Sequence, residues 1–443
     1  MKKNLELEIK RVALLFLEKT KEKEIQIISH FETDGIVSAA MMIQTLKELD
    51  KTFTLKIVKN LEENFIKNLA KNKITLFLDL ASGNLDDIKE ADLKDVFIID
   101  HHEIAQKIPE NINIINPHLY EKQKISSSGL VYLFSKEINP KNKKFAKLAI
   151  LGMVGDHLEK DIGKINNEIL EDSEIKIKKG LSIYPAARPL NRALEFSSNF
   201  YLPGISGNIK EILELLREAG LTPKNGKYKS LLELNDEEMK KLTKAIMLRK
   251  PRAKISEIIG DIFLIKLYNE FEDARELSAK INACSRLGES GVAIQLCMEV
   301  PEAKKRAQSI HSKQKQELMA GLKIAQEMEK IEGEGFVIIN AQEKIKGAMI
   351  GTITNILSNS SIYKEETIIV VMAYYGGKIK ISARNVGNLG RDVLEILNNI
   401  VSLTGGEVGG HEFAAGCVIE KEKEQEFLEC LKKNLEIEVI KVS

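Results

Sequence analysis

Short apolar runs alternate with longer amphipathic stretches up to about residue 180 of the chain. Apolar runs bounded by polar residues predict β-strands, and the stretches between them predict helices. The predicted strands are Ile25–Ile28, Phe53–Val58, Ile74–Leu80 and Val96–Asp100, and the predicted helices include one from Gly35 and one over Phe145–Val154. Strands separated by helices indicate an α/β fold with a doubly wound, mostly parallel sheet.

The pattern changes twice further along the chain. Proline-bearing stretches and mixed charged helices follow residue 181 and predict an inserted mixed or helical domain. A charged run over Pro301–Glu332, with no proline after its first residue and one glycine, predicts a long connecting helix. Strand-like runs and a helix over Gly390–Leu403 then predict a smaller α/β domain. Its predicted strands are Gly335–Asn340, Thr367–Tyr374 and Lys378–Ser382.

The composition is that of a folded, multidomain protein. A chain of 443 residues predicts two to four domains at roughly 100–200 residues each. Hydrophobic residues make up 43% and charged residues 30%, which excludes a wholly disordered chain. The 66 lysines and arginines balance 65 aspartates and glutamates, so the overall charge does not suit a protein that coats duplex DNA. Any contact with nucleic acid must therefore be local.

The cysteines and the lack of long apolar runs bear on cellular location. The four cysteines show no CxxC spacing, so we expect neither a disulfide framework nor a cysteine zinc site, and a reducing, cytoplasmic location fits best. No uninterrupted apolar run reaches the length of about 18 residues that a membrane helix needs. We therefore expect no signal peptide, no membrane span and no membrane partner.

Acidic and histidine side chains follow three of the predicted strands and one predicted helix. Most of the seven histidines lie in the first 160 residues, near the acids Glu32, Asp34, Asp79, Asp100 and Asp156. The carboxyl ends of strands in an open α/β sheet form one crevice, where these side chains should converge. Like charges repel there unless a cation lies between them. Carboxylate and imidazole ligands without thiolates suit Mn²⁺, with Mg²⁺, Co²⁺ or Zn²⁺ as substitutes, and suffice for two bridged ions.

Each of these elements also has a structural interpretation. Asp34-Gly35 alone fits a turn or a helix cap, and Asp156-His157 alone fits a helix terminus. His118 and His311 are interpreted as structural or solvated residues. The segment Asp100-His101-His102 is the strongest chemical signal, because three consecutive polar side chains after a buried strand have little structural reason to exist.

Six motifs of the chain resemble those of the DHH phosphoesterases. Four occur in order in the first part of the chain: HFETDGIVSAA from His30, FLDLASG from Phe77, IIDHHE from Ile98 and GMVGDH from Gly152. INACSRLGESGVAIQL from Ile281 and GGHEFAAG from Gly409 complete the set. Within the family, the chain resembles the RecJ-like single-strand-specific exonucleases, the archaeal type above all. The resemblance implies a DHH domain at 1–181, an insertion at 182–270, a segment closing the DHH core at 271–300, a connecting helix at 301–333 and a DHH-associated substrate-binding domain at 334–443.

The resemblance also assigns roles to the acidic and histidine side chains. It implies one manganese ion held by Asp34, Asp79, His101 and Asp156. A second ion would share Asp79 and use Glu32 and His30. The catalytic residues would be His102, which would face the scissile phosphate, and Asp100, which would fix a histidine tautomer by a hydrogen bond. Glu32 departs from the aspartate usual at its position, and this makes the second ion's site the less certain of the two.

Further motifs imply contacts with the substrate. By the resemblance, Gly409, Gly410 and His411 offer backbone N–H groups and an imidazole to a phosphate or nucleotide. Arg384 and Arg286 are candidates for bidentate phosphate contacts, although an ion pair explains Arg286 equally well.

The function implied by the resemblance is a metal-dependent exonuclease. It would hydrolyse phosphodiester bonds of single-stranded DNA, RNA or both by a two-metal mechanism, in DNA replication or repair. One alternative is a phosphodiesterase for cyclic dinucleotides or short oligonucleotides. Another is a replisome scaffold, because archaeal RecJ-like proteins associate with the GINS complex and resemble a eukaryotic helicase subunit that has lost catalytic residues.

Overall fold

The computed structural model describes residues 4–120, 123–195, 201–249, 255–360, 362–387 and 389–436. These residues form two compact units. The first unit comprises the described residues of Met1–Gly180, Tyr184–Ala187 and Gly260–Ser312. The second unit comprises those of Leu181–Ile183, Arg188–Ile259 and Lys313–Ser443.

Helices and strands make up most of the described part of the chain. The α-helices are α1 (Leu5–Lys19), α2 (Thr33–Glu48), α3 (Glu63–Lys67), α4 (Leu85–Glu90), α5 (Ser127–Ile138), α6 (Ala146–Gly155), α7 (Lys164–Asp172), α8 (Leu190–Glu195), α9 (Ile209–Glu218), α10 (Asp236–Arg249), α11 (Ile255–Ile258), α12 (Ala274–Arg286), α13 (Ser290–Cys297), α14 (Pro301–Glu327), α15 (Ile350–Ser358), α16 (Val393–Thr404) and α17 (Glu424–Glu436). The strands are β1 (Ile25–His30), β2 (Phe53–Val58), β3 (Ile74–Leu78), β4 (Val96–Ile99), β5 (Ile112–Ile115), β6 (Lys176–Leu181), β7 (Ile259–Leu267), β8 (Glu270–Asp273), β9 (Ile331–Gly333), β10 (Phe336–Asn340), β11 (Ile368–Tyr375), β12 (Lys378–Asn385), β13 (Glu407–His411) and β14 (Ala414–Glu420).

A five-stranded sheet in the order β2-β1-β3-β4-β5 forms the centre of the first unit. All neighbouring strands are parallel; Ile27 of β1, for example, aligns with Leu55 of β2 and Leu76 of β3. Strands β3 and β4 are wholly buried, as expected for parallel strands covered on both faces. The predicted α/β fold with a parallel sheet is confirmed.

The two faces of this sheet bury alternate residues of each strand. Leu76 and Phe97 pack with apolar residues of α1, α2, α5 and α6 in one core cluster. Phe77 and Ile98 pack with residues of α3 and α4 in another. Successive side chains of a strand point to opposite faces, so a continuous apolar strand needs helices on both sides. This arrangement makes the sheet doubly wound.

Strand β3 ends earlier than its apolar pattern indicates. The pattern predicts a strand to Leu80, but the structure ends it at Leu78. Asp79 adopts a φ of 61°, and Ala81 one of 90°. Both angles lie in the left-handed region, which a β-strand does not use. The chain therefore leaves the sheet at the first acidic residue.

The second unit contains a six-stranded sheet in the order β13-β14-β12-β11-β10-β9. Strands β10 and β11 are parallel, and the other pairs are antiparallel. The helix predicted to reach Glu332 ends instead at Glu327. Ile331–Gly333 forms β9, and Ile331 aligns with Ile338 of β10. Gly335, with a φ of 75°, lies in the turn that reverses the chain between the two strands.

The glycine-rich stretch from Gly405 to Gly416 contains strand β13 and the start of strand β14. Strands β13 and β14 pair antiparallel, with Gly409 opposite Gly416.

None of the described helices is long and apolar enough to cross a membrane. The domain boundaries proposed from the sequence remain predictions.

Candidate metal centre

The carboxyl ends of three parallel strands and the end of one helix carry the predicted acidic and histidine side chains. His30 ends β1, Asp79 follows β3, and Asp100 follows β4. Asp156 caps the C-terminal end of α6. Because β1, β3 and β4 are neighbouring parallel strands, their carboxyl ends meet at one edge of the sheet.

Asp34, in the first turn of α2, is fixed by the start of another helix. Its side chain is buried, and its two oxygens accept hydrogen bonds from the N–H groups of Ser127 (2.7 Å) and Ser128 (2.9 Å) in α5. A Cβ atom added to Gly152 of α6 would overlap the carboxylate of Asp34 and the hydroxyl of Ser128. A glycine at 152 therefore makes room for the carboxylate.

Asp34, His101 and Asp156 form a group whose ligand atoms all lie within 4.8 Å of one another. His101 Nε2 is 3.3 Å from Asp156 Oδ2 and 3.6 Å from Asp79 Oδ1. Both of these carboxylate oxygens are buried and have no hydrogen-bond partner. Buried carboxylate oxygens without donors are costly unless a cation meets them. Oxygen and imidazole nitrogen around such a gap fit a divalent metal ion.

The electrostatics of this group agree with a missing positive charge. Burial, and next the charge of Asp34, raises the pKa values of Asp79 and Asp156. Burial lowers the pKa of His101, so its imidazole stays neutral and keeps a lone pair for a metal. Carboxylates crowded in this way ionise together only beside a cation.

Asp79 lies between two histidines. One of its oxygens is 3.3 Å from His30 Nδ1, and the other faces His101. Asp79, His101 and His102 also form a second group of ligand atoms within 4.8 Å. A non-glycine residue held at a φ of 61° is strained, and such strain is concentrated at functional sites. The structure thus brings together the predicted ligands that lie at the strand ends and on helices α2 and α6.

Asp100 is buried and holds the loop of the two histidines. Its carboxylate accepts hydrogen bonds from Ser82 N–H (3.0 Å), His101 N–H (2.8 Å) and His102 Nδ1 (2.7 Å). Burial acts to raise the pKa of Asp100, but the hydrogen bonds from His102 and Ser82 outweigh it and lower the pKa to about 2. The same bond raises the pKa of His102 to about 9. Asp100 therefore fixes the His102 ring with a proton on Nδ1.

Glu32 lies apart from these ligand groups. Its carboxylate is 3.3 Å from Arg286 Nη2, and both side chains are about half exposed. Among the described residues, no group of three ligand atoms within 4.8 Å includes Glu32. Its role as a ligand stays a prediction, and Arg286 forms an ion pair in this structure.

A cavity of about 350 Å³ opens on the metal centre and contains residues that the sequence analysis missed. It is lined by His30, Asp79, Asp100 and His102, and also by Lys59 and Asn60, which follow β2. Lys59 makes no ion pair among the described residues. The rule that selected the other strand ends applies equally to β2 and could have identified Lys59.

Asn116, which the sequence analysis did not identify, and His118 both support the backbone of the two histidines. Asn116 is buried, and its amide nitrogen donates to the carbonyl oxygen of His102 (2.8 Å) and to the hydroxyl of Ser82 (2.9 Å). His118 Nε2 donates to the carbonyl oxygen of His101 (3.0 Å). The structural interpretation of His118 therefore holds, but the structure it supports is the backbone of two predicted metal-site residues.

The predicted phosphate-binding residues of the second unit lie at one end of its sheet. Arg384 of β12 aligns with Ala414 of β14, which aligns with His411 of β13. Arg384 is partly buried, which lowers its pKa, and its guanidinium has no hydrogen-bond or ion-pair partner among the described residues. Gly410 has a φ of 139°, and a Cβ atom there would overlap the backbone of Ala414.

Comparison with family models identifies three domains. The N-terminal domain of the DHH family matches residues 24–153, the DHH-CID domain residues 185–258, and the DHHA1 domain residues 333–436. An uncharacterised protein of Methanocaldococcus jannaschii is 31% identical in an alignment 426 residues long that covers 91% of each chain.

Solved structures share the fold over nearly the whole chain. CDC45 from Entamoeba histolytica matches with a TM-score of 0.71 at 13% identity, over 97% of this chain and 99% of that one. Exonuclease RecJ bound to manganese matches with a TM-score of 0.60 at 17% identity, over 97% and 95%. RecJ from Thermus thermophilus in complex with Mn²⁺ matches with a TM-score of 0.57 at 17% identity, over 97% and 54%.

The order of the three matched domains and the extent of the structural matches agree with the motifs in the sequence. Members of the DHH family are typically hydrolytic phosphoesterases. The chain belongs to the DHH family and has a RecJ-like fold.

Proposed function

We propose that the chain is a divalent-metal-dependent exonuclease that hydrolyses phosphodiester bonds of single-stranded DNA, RNA or both, in DNA replication or repair. One observation carries this proposal: the buried oxygens of Asp79 and Asp156, without hydrogen-bond partners, face the nitrogen of His101. A purely structural protein would have little reason to retain such a costly arrangement.

The donor set fits divalent ions, with Mn²⁺ as the first candidate. Asp34, Asp79, His101 and Asp156 would hold one ion, and a second would share Asp79 with His30 and Glu32. When bound, such ions polarise the phosphoryl oxygens and lower the pKa of water.

Other residues in and around the metal-centre cavity would orient the substrate and stabilise its negative charge. Asp100 fixes the His102 proton on Nδ1 and so sets the orientation of the ring, which lines the cavity and would face the scissile phosphate. Lys59 lines the same cavity and adds a positive charge for the phosphate. Asn116 and His118 keep the backbone of His101 and His102 in place.

The second unit would grip the strand. Arg384, a partly buried guanidinium without a partner among the described residues, suits bidentate binding of a phosphate. His411 is exposed at the same end of the sheet, two strands from Arg384, with Ala414 of β14 between them. Gly409 and Gly410 would bring backbone close to a ligand. This assignment makes the DHHA1 domain the substrate-binding domain.

A second candidate function is a scaffold role in the replisome, with the GINS complex as partner. The similarity of fold to CDC45 supports it, and it is compatible with catalysis. A phosphodiesterase for cyclic dinucleotides or short oligonucleotides would use the same metal centre and is distinguished by substrate.

The test is a degradation assay with end-labelled single-stranded DNA and RNA of both polarities, beside a cyclic dinucleotide, with Mn²⁺ and with a chelator. We expect stepwise loss of nucleotides from one end of a strand, only with metal. Hydrolysis of the cyclic dinucleotide alone would establish the alternative enzyme. Full activity after exhaustive chelation, or no hydrolysis of any substrate, would refute the metal-dependent exonuclease.

A further inference from the structure

A second cavity, of about 550 Å³, adjoins the metal centre in the first unit. It is formed by the segment that follows the two histidines and by the residues after Asn116; its lining is Glu103, Ile104, Gln106, Lys107, Ile108, His118 and Leu119. Glu103 lines this cavity and the metal-centre cavity alike. A ligand that occupies both would therefore pass over Glu103.

The apolar part of the lining is anchored. Ile104, Ile108 and Leu119 are half-buried and pack against the core cluster beneath this face of the sheet. Apolar walls with a few fixed polar groups, in a volume of several hundred Å³, are the usual features of a site for a small organic ligand.

Gln106 offers hydrogen-bond donors to the cavity. Its side-chain oxygen accepts a hydrogen bond from Asp86 N–H at 3.0 Å, in the first turn of α4. A backbone N–H can only donate, so this contact identifies the oxygen and fixes the orientation of the amide. The amide nitrogen of Gln106 makes no hydrogen bond among the described residues.

His118 offers the complementary group. Its Nε2 lies 3.0 Å from the carbonyl oxygen of His101, which can only accept, so Nε2 carries a hydrogen. In the tautomer with its hydrogen on Nε2, Nδ1 is an acceptor. One donor and one acceptor with fixed orientation, beside aliphatic walls, match the hydrogen-bonding edge and the flat faces of a nucleobase.

We propose that this cavity binds the nucleobase of the nucleotide next to the scissile phosphodiester. The inference rests on the proposed function and deepens it. A paired base has its Watson–Crick edge occupied and loses its pairing and stacking when it leaves the duplex. A pocket for one base beside the metal centre therefore selects single strands.

The test compares two labelled single strands that differ only in the presence of the base on the terminal nucleotide. Binding is measured by fluorescence anisotropy with Ca²⁺, and hydrolysis is measured with Mn²⁺. The variants are Gln106→Leu, which removes donor and acceptor, and Gln106→Glu, which keeps an acceptor for Asp86 N–H but removes the donor. Gln425→Leu, an exposed position on α17 of the second unit, is the matched control.

We expect the wild type and Gln425→Leu to bind the strand with the base about fivefold to tenfold more tightly than the abasic strand, a hydrogen-bond-sized effect. Both Gln106 variants should reduce this ratio to about two or less, with the same trend in kcat/KM. If the wild type binds both strands equally, or the Gln106 variants keep the full ratio, the inference is wrong. Base-dependent binding without hydrolysis would overturn the exonuclease proposal and leave the base site standing, so the two failures are distinct.

Discussion

The candidate metal centre of the first unit and the proposed phosphate-binding end of the second sheet are opposite in chemistry. The first gathers buried carboxylates that hydrogen bonds and helix starts hold in place, with oxygens left unpaired. The second presents a guanidinium without a partner among the described residues and an exposed imidazole beside glycines. The first region suits a cation, and the second suits an anion.

The two regions also differ in how their geometry is fixed. Asp34, Asp79 and Asp100 are almost completely buried within one sheet and its helices, so the metal centre is preorganised. Arg384 and His411 lie at the end of a sheet where β13 is an edge strand with most of its residues exposed. We therefore expect mutations in the first region to affect catalysis and metal binding, and mutations in the second to affect substrate capture.

The largest effect is expected for Asp79→Asn. Removal of this charge should lower exonuclease activity more than about 100-fold, because even the partners of metal ligands cost 10–100-fold when removed. It should also raise the melting temperature of the metal-free protein by about 2–4 °C, because a carboxylate that is removed from water by burial and repelled by Asp34 is lost. The measurements are turnover, Mn²⁺ titration calorimetry and thermal melts with and without metal.

Asp161→Asn is the matched control for this prediction, because Asp161 is highly exposed and pairs with Lys124. It should leave activity and Mn²⁺ binding unchanged. Asp79 is not the shared ligand if the two variants lose activity to a similar degree. The same conclusion follows if Mn²⁺ raises the melting temperature of Asp79→Asn as much as that of the wild type.

The next effect concerns the support beneath the two histidines. Asn116→Ala removes the amide that donates to the carbonyl of His102 and to Ser82. We expect Mn²⁺ affinity to fall about 10-fold to 100-fold, measured by titration calorimetry. Asn113→Ala, on strand β5, which lies directly before Asn116, is the control and should bind Mn²⁺ normally. Normal Mn²⁺ affinity in Asn116→Ala would limit Asn116 to a role in folding.

Asn116 also shows where prediction of the fold from sequence fails. The strong apolar runs of the first sheet predict its other strands, but β5, the four-residue run Ile112–Ile115, is not predicted. A run this short is recognised as a strand only from its pairing with β4. Periodicity along the chain does not show this pairing. Strands β13 and β14 are missed because their glycines have no side chains to give a periodicity. Single-sequence periodicity thus finds central strands and misses short or glycine-rich edge strands.

The candidate site can be predicted in part for a physical reason. Parallel strands must end at one edge, so Asp79, Asp100 and His101 can be placed together from their positions alone. The partners that hold these side chains in place cannot be predicted from their positions in the sequence. The ion pair of Glu32 with Arg286 joins residues far apart in the chain, and only the folded structure shows it.

A smaller effect is expected in the second unit. Arg384→Ala should raise KM about tenfold with little change in kcat, because loss of a charged hydrogen bond to phosphate weakens capture and not the chemical step. His411→Ala should show the same pattern to a lesser degree. Lys378→Ala, at the other end of the same strand and paired with Glu420, is the control. A loss of kcat with unchanged KM in either variant would move that residue into the chemical step.

The smallest effect is expected for Glu32→Asp, the residue usual in the family. The substitution should break the ion pair with Arg286. An exposed pair of this kind contributes about 0–1 kcal/mol, so the melting temperature should hardly change.

The same substitution tests whether Glu32 completes a second metal site. If it does, the shorter side chain, free of Arg286, should bind that ion more tightly. Activity should stay within about threefold of the wild type, a change that reflects a small shift of the ligand in the catalytic geometry. Metal stoichiometry by elemental analysis at limiting Mn²⁺, beside turnover, tests this. Glu32→Ala should then retain one ion, whereas two ions and near-normal turnover in Glu32→Ala would assign Glu32 to the ion pair alone.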